Sequence, residues 1–171
     1  MAMPHLVIMG VAGCGKSVLS SQLAQALSWR AVEGDDHHLE SSQTKMRQGI
    51  PLDDADREPW LRALGHLLAT SPEPVVLSCS SLKRSYRQML RAQVPDLRFV
   101  YLRMDMQTTL ERVGARTGHL FPRSLVASQF ATLEPPEGEA GVLTLPGTLP
   151  TLEQIQAVQH WLASSPTPVS T

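Results

Sequence analysis

The octapeptide Gly10-Val11-Ala12-Gly13-Cys14-Gly15-Lys16-Ser17 constrains this chain more than any other stretch. It follows the apolar run Leu6-Val7-Ile8-Met9, which reads as a buried strand. It precedes Val18 to Leu27, where apolar residues recur at helical spacing. Strand, glycine-rich turn, lysine, hydroxyl and helix, in that order, are the context of a phosphate-binding P-loop. The glycines let the backbone close around a phosphate chain, so that several N–H groups point inward. The helix that follows adds the positive end of its dipole. Lys16 can reach β- and γ-phosphates, and Ser17 can ligate Mg²⁺. Gly10, Val11, Ala12, Gly13, Cys14, Gly15, Lys16 and Ser17 are therefore the expected ATP-binding set.

Four further strand signals alternate with helical ones. The strands are expected at 29–33, 75–79, 97–102 and 142–145, and the helices at 41–47, from Asp53 onward, at 82–94, 107–116, 123–133 and 151–162. Such alternation predicts an α/β fold, a parallel sheet of five strands covered by helices on both faces. Asp53, Asp54 and Asp56 lie where carboxylates suit the first turn of a helix. We expect one domain over 1–163, with a mobile lid at about 116–133, and a frayed tail over 164–171.

Composition narrows the function classes. Lys plus Arg (15) nearly balances Asp plus Glu (16), so no basic excess argues for nucleic acid as a partner. No apolar run is long enough to span a bilayer, so no membrane association is expected. The N-terminus runs directly into strand and loop without a signal-peptide pattern. Two cysteines make neither a disulfide framework nor a metal cluster, and a reducing cytoplasm is the expected location. Adjacent His37 and His38 beside Asp35 do not form a metal site, since neighbours in sequence rarely converge on one ion. Asparagine is absent throughout, which excludes the Asn-Lys-x-Asp guanine-reading motif of GTPase switches. The strand at 75–79 ends in serines rather than the acidic residues of motor ATPases. A small kinase remains.

Beyond the P-loop come Glu33-Gly34-Asp35-Asp36-His37-His38 and the block Lys45-Met46-Arg47-Gln48-Gly49-Ile50-Pro51-Leu52-Asp53-Asp54-Ala55-Asp56-Arg57-Glu58-Pro59-Trp60-Leu61. Cys79 to Arg87, Gly118-His119-Leu120-Phe121 and Ser128 to Glu134 complete the pattern. Together these stretches resemble the small P-loop gluconokinases, relatives of shikimate kinase and the nucleoside monophosphate kinases. The block from Lys45 to Leu61 is far more specific than the P-loop. The resemblance implies a three-layer P-loop kinase fold, and transfer of the ATP γ-phosphate to D-gluconate with Mg²⁺. It also implies a homodimer. A shikimate-like or nucleoside monophosphate kinase, or a nucleotide-binding module without catalysis, are the alternatives.

Roles follow within that frame. Lys16, Asp35, Arg112 and Arg116 are the expected catalytic residues. Asp35 would orient and deprotonate the attacking hydroxyl; a water-mediated Mg²⁺ contact or a helix cap is the other reading. Arg112 and Arg116, four apart on one helix face, would bring cations to the transferred phosphoryl group. Arg57 suits a sugar-acid carboxylate through its paired donors, unless Asp53, Asp54 or Glu58 neutralises it. Lys45, Lys83 and His119 complete the expected substrate-binding set with Asp35. Ser17 is the expected metal ligand. The basic helix carrying Lys83, Arg84, Arg87 and Arg91 is expected to be a substrate-side or solvated face.

Overall fold

The computed structural model describes residues 4–115 and 123–164. Strand β1 (Leu6–Met9) leads through the P-loop into α1 (Lys16–Leu27). β2 (Arg30–Glu33) runs into a single 3₁₀ turn (Gly34–His37), then α2 (Glu40–Arg47) and α3 (Asp54–Thr70). β3 (Val75–Ser78), α4 (Arg84–Gln93), β4 (Arg98–Arg103) and α5 (Met106–Ala115) follow. α6 (Leu125–Thr132), β5 (Val142–Pro146) and α7 (Thr151–Ser164) complete the described chain.

The five strands pair in the order β2-β3-β1-β4-β5, and every pairing is parallel. β1 is central. Its side chains alternate between faces, as a pleated strand requires. Leu6 and Ile8 enter a core with Leu19 and Leu23 of α1 and Ile155 and Val158 of α7. Val7 and Met9 enter a second core with Leu61, Leu64 and Leu68 of α3 and Leu90 of α4. Both faces are therefore covered, which is why β1 reads as an unbroken apolar run. Fully burying each of these leucine-sized side chains stabilises the fold by about 1.5–3 kcal/mol.

Helix α3 begins as its carboxylates foretell. Asp53 Oδ1 accepts from the Asp56 N–H at 2.7 Å, and Asp56 Oδ2 accepts from the Asp53 N–H at 3.0 Å. This reciprocal cap satisfies two end donors and aims the first turn of α3 at the C-terminal end of the sheet.

One sequence expectation is corrected. The basic face of α4 is neither solvated nor turned to substrate at Arg87, which is wholly buried. Its guanidinium donates to the carbonyls of Ser81, Leu82 and Glu134 and grips Glu139, with Nη2 to Oε2 at 2.6 Å. Arg91 donates to the same carboxylate at 2.8 Å and lies over the Phe99 ring. The physical reason is that the segment after α6 folds back across α4 and supplies enough acceptors to hold a cation away from water. Burial alone would raise the Glu139 pKa, but the hydrogen bonds from Arg87 and Arg91 outweigh it and hold the carboxyl below its usual value.

This clamp gives a stability prediction. Glu139→Ala leaves a buried guanidinium unpaired and should cost about 3 kcal/mol, lowering Tm by about 10 °C in thermal unfolding followed by circular dichroism. Because the folded pKa of Glu139 is depressed, its contribution is complete above the unfolded value near 4.5 and is lost as pH falls through the lower folded value. The acid limb of the stability profile should therefore be shallower in the variant.

Candidate active site

The P-loop leaves the carboxyl end of β1, where open parallel sheets bind ligands. Its first glycine is required by space and by backbone. Gly10 has φ 145°, and a Cβ there would lie 2.8 Å from Cys14 Sγ and 2.9 Å from the Leu102 carbonyl oxygen. Cys14 itself is buried in the loop wall, so its small side chain fills space rather than facing solvent. Cys79, at the end of β3, is equally buried, and burial pushes its thiol up to about 11.

The loop is internally tied. Lys16 Nζ donates to the carbonyls of Gly10 at 3.0 Å and Val11 at 3.1 Å. Ser17 Oγ donates to Glu33 Oε2 at 2.6 Å. The Ala12 N–H donates to Gln129 Oε1 of α6 at 2.7 Å. Glu33 ends β2, so a carboxylate and a hydroxyl meet beside the loop. Both are hard oxygen donors of the kind Mg²⁺ takes, with its remaining positions left to phosphate and water. Among the described residues no cluster of three or more His, Cys, Asp or Glu forms an all-protein metal cage, and such cages are not how Mg²⁺ is usually held.

A cleft opens from the loop. Ala12, Gly13, Lys16 and Ser17 line one side, Asp35, His38, Arg57 and Trp60 the facing side, and Leu125, Ser128 and Gln129 a third. Asp35 sits in the 3₁₀ turn with its side chain 59% exposed to the cleft and solvent. That turn lies hard against the sheet. Trp60 Nε1 donates to the Gly34 carbonyl at 2.7 Å, and a Cβ on Gly34 would come within 2.4 Å of the Ser78 carbonyl oxygen. His38 stacks on Trp60 with ring centroids 3.9 Å apart, and its Nε2 stands 3.8 Å from Asp35 Oδ1. Burial lowers the His38 pKa, opposed by the Asp35 charge and aided by that of Arg57. The imidazole is therefore neutral at pH 7.

Arg57 is held by a relay. Its Nη1 donates to Tyr86 OH at 2.9 Å, the phenol donates to Asp54 Oδ1, and Lys83 donates to the same carboxylate at 3.1 Å. Among the described residues Arg57 forms no ion pair, with Asp53, Asp54, Glu58 or any other carboxylate, and its guanidinium lines the cleft. Lys45 is instead committed to Asp56, at 2.9 Å and 3.0 Å to its two oxygens. Neither Lys45 nor Lys83 lines the cleft. Arg112 lies elsewhere. It donates to the Gly13 and Gly147 carbonyls, both at 3.2 Å, and lines a second hollow with Cys14, Gly15, Val18 and residues Gly147 to Thr151. Arg116 and His119 lie outside the described residues, as does the 116–122 part of the lid expected at about 116–133, whose remainder carries α6.

Sequence reading missed Glu33, His38, Trp60, Tyr86, Gln129 and the second hollow. Glu33 was open to discovery, since a carboxylate ending the strand after a P-loop faces the same crevice. Gln129 lay within the stretch Ser128 to Glu134 that carries the family resemblance, but nothing local showed that its amide reaches the loop.

Residues 6–136 match the family described as "AAA domain". Several solved kinases share the fold, including shikimate kinase from Aquifex aeolicus vf5, with a TM-score of 0.59 at 14% identity over 93% of this chain and 96% of that one. Fold and loop together define a P-loop kinase. Closer likenesses specify which kind. The thermosensitive gluconokinase of Escherichia coli K12 is 42% identical over 142 residues, 81% of this chain and 76% of that protein. The gluconokinase of Gluconobacter oxydans 621H is 41% identical over 145 residues, 83% of this chain and 82% of that protein. A gluconokinase crystal structure from Sinorhizobium meliloti 1021 superposes with a TM-score of 0.83 at 41% identity, covering 96% of this chain and 99% of that one. This chain belongs to the gluconokinase family.

The placement of Asp35 can be tested directly. Gly34→Ala must push the 3₁₀ turn off the Ser78 carbonyl, and a displacement of about 1 Å at a reacting group costs on the order of a hundredfold in rate. Steady-state assay of the purified variant should show that loss in kcat, with the KM for nucleotide little changed.

Proposed function

We propose that this protein transfers the γ-phosphoryl group of ATP to the 6-hydroxyl of D-gluconate, giving ADP and 6-phospho-D-gluconate. One observation carries the choice of acceptor. An unneutralised arginine, Arg57, and an exposed carboxylate, Asp35, share a cleft with the P-loop. A sugar acid offers a carboxylate to the first and an alcohol to the second. Guanidinium recognises carboxylate through paired donors, and Asp35 accepts the proton that the alcohol sheds.

The 6-hydroxyl oxygen forms a bond to the γ-phosphorus, the bond from that phosphorus to the β–γ bridging oxygen breaks, and the electron pair leaves on ADP. The hydroxyl proton passes to Asp35. Lys16 turns from the Gly10 and Val11 carbonyls to the β- and γ-phosphates, and the loop amides hold the phosphate oxygens. Ser17 and the adjacent Glu33 would hold Mg²⁺ beside the loop. Bound there, the ion neutralises charge that builds on the phosphate oxygens. The hollow lined by Arg112 and residues 147–151 adjoins Gly15 and Val18, so it receives the nucleoside end of ATP. Arg116 and His119 are further proposed contacts, to the phosphoryl group and the acceptor respectively.

ADP release coupled to a dehydrogenase assay should be fastest with gluconate among sugar acids. Turnover of shikimate or a nucleoside monophosphate in its place would overturn the acceptor assignment. Arg57→Met removes a charge-assisted pair, so the KM for gluconate should rise about ten- to a hundredfold with the KM for ATP unchanged. Lys16→Ala should lower kcat by a factor of at least about a hundred while the melting curve is retained. Transfer that survives Lys16→Ala would contradict the phosphate role.

A further inference from the structure

Two donors of the P-loop are met by the protein itself. Its lysine rests on the Gly10 and Val11 carbonyls, and its Ala12 N–H rests on the side-chain oxygen of Gln129, 117 positions away. Loop amides of this kind are the groups that meet phosphate oxygens. A carboxamide oxygen at 2.7 Å from such an amide presents the same acceptor without the charge. The Gln129 Nε2 makes no hydrogen bond among the described residues, so one contact holds the side chain. The helix beneath it is well seated, with Leu125 and Val126 buried. Gln129 can therefore swing away without α6 leaving the core.

We propose that Gln129 is a phosphate-site residue of this reaction, a surrogate ligand whose Oε1 holds the Ala12 N–H until an ATP phosphate oxygen displaces it. The inference rests on the nucleotide assignment above and deepens it. Exchange runs toward nucleotide because a hydrogen bond to an ionised phosphate is roughly twice as strong as one to a neutral carboxamide. The displaced amide then stands in the cleft beside Ser128. Gln129 thus sets nucleotide affinity by competing for the site, and a residue that only supported the fold would not do so.

The sign of the effect separates these roles. Isothermal titration of the full chain with ATP and Mg²⁺ should show Gln129→Ala and Gln129→Leu binding about fivefold more tightly than wild type, the net worth of one neutral hydrogen bond. AMP, which lacks the β- and γ-phosphates, should bind wild type and both variants alike. Gln129→Glu places a charged acceptor on the amide and should weaken ATP binding about tenfold. Thermal melts accompany each titration, since damage to the fold lowers affinity and cannot raise it. Unchanged or weaker ATP binding in both the Ala and Leu variants overturns the proposal, as does a Gln129→Glu variant that binds like wild type. Wild type that binds no ATP overturns the nucleotide assignment and this inference together. Wild-type binding with unaltered variants overturns this inference alone.

Discussion

Backbone amides that need oxygen partners are the constraint on which this structure depends. A glycine-rich turn at the end of a buried strand exposes N–H groups that neither helix nor sheet can satisfy. In this chain one such amide, that of Ala12, finds its oxygen on another element, Gln129 of α6, while the side chains of Lys16 and Ser17 tie the loop to Gly10, Val11 and Glu33. The loop is thus held in shape by bonds made within the protein. Such preorganisation lowers the cost of assembling the site when substrate arrives.

The acceptor side obeys a different logic. There the side chains are arranged so that one positive charge stays unneutralised. Asp54 and Asp56 flank Arg57 in the first turn of α3, but Lys83 with Tyr86 occupies the first and Lys45 the second. The lysines hold the carboxylates, and the arginine keeps its place in the cleft wall. Hydrogen bonding draws the pKa of Asp54 down, first from Tyr86 and then from Lys83. That of Asp56 falls through the Asp53 amide and then Lys45. Both remain ionised and committed in neutral solution.

Much of this was legible in the order of residues, and the remainder was not for physical reasons. The apolar run Leu6 to Met9 is a strand buried on both faces, and the carboxylates from Asp53 cap a helix. These are local properties that side-chain periodicity and end effects carry openly. Helix α1 begins at Lys16, directly after the last loop glycine, as the strand–loop–helix order indicates. Arg87 was misread because a basic helix looks solvated until another segment is known to fold over it. Lys45 and Lys83 were equally ambiguous, since only tertiary packing shows which carboxylate each one meets. The strand order, which puts β3 between β1 and β2, has no local signal at all.

That strand order makes the sheet a ruler. The phosphate loop leaves β1 and the turn bearing Asp35 leaves β2, with β3 lying between them. Two rungs of a parallel ladder separate the strands by about 10 Å, a span the hydrogen-bonded register does not let vary. Acceptors of different length or charge must therefore be accommodated by α2 and α3, whose side chains move without disturbing the rungs. Diversification of substrate on such a scaffold should accordingly be written in its helices, while the gauge between donor and acceptor stays constant.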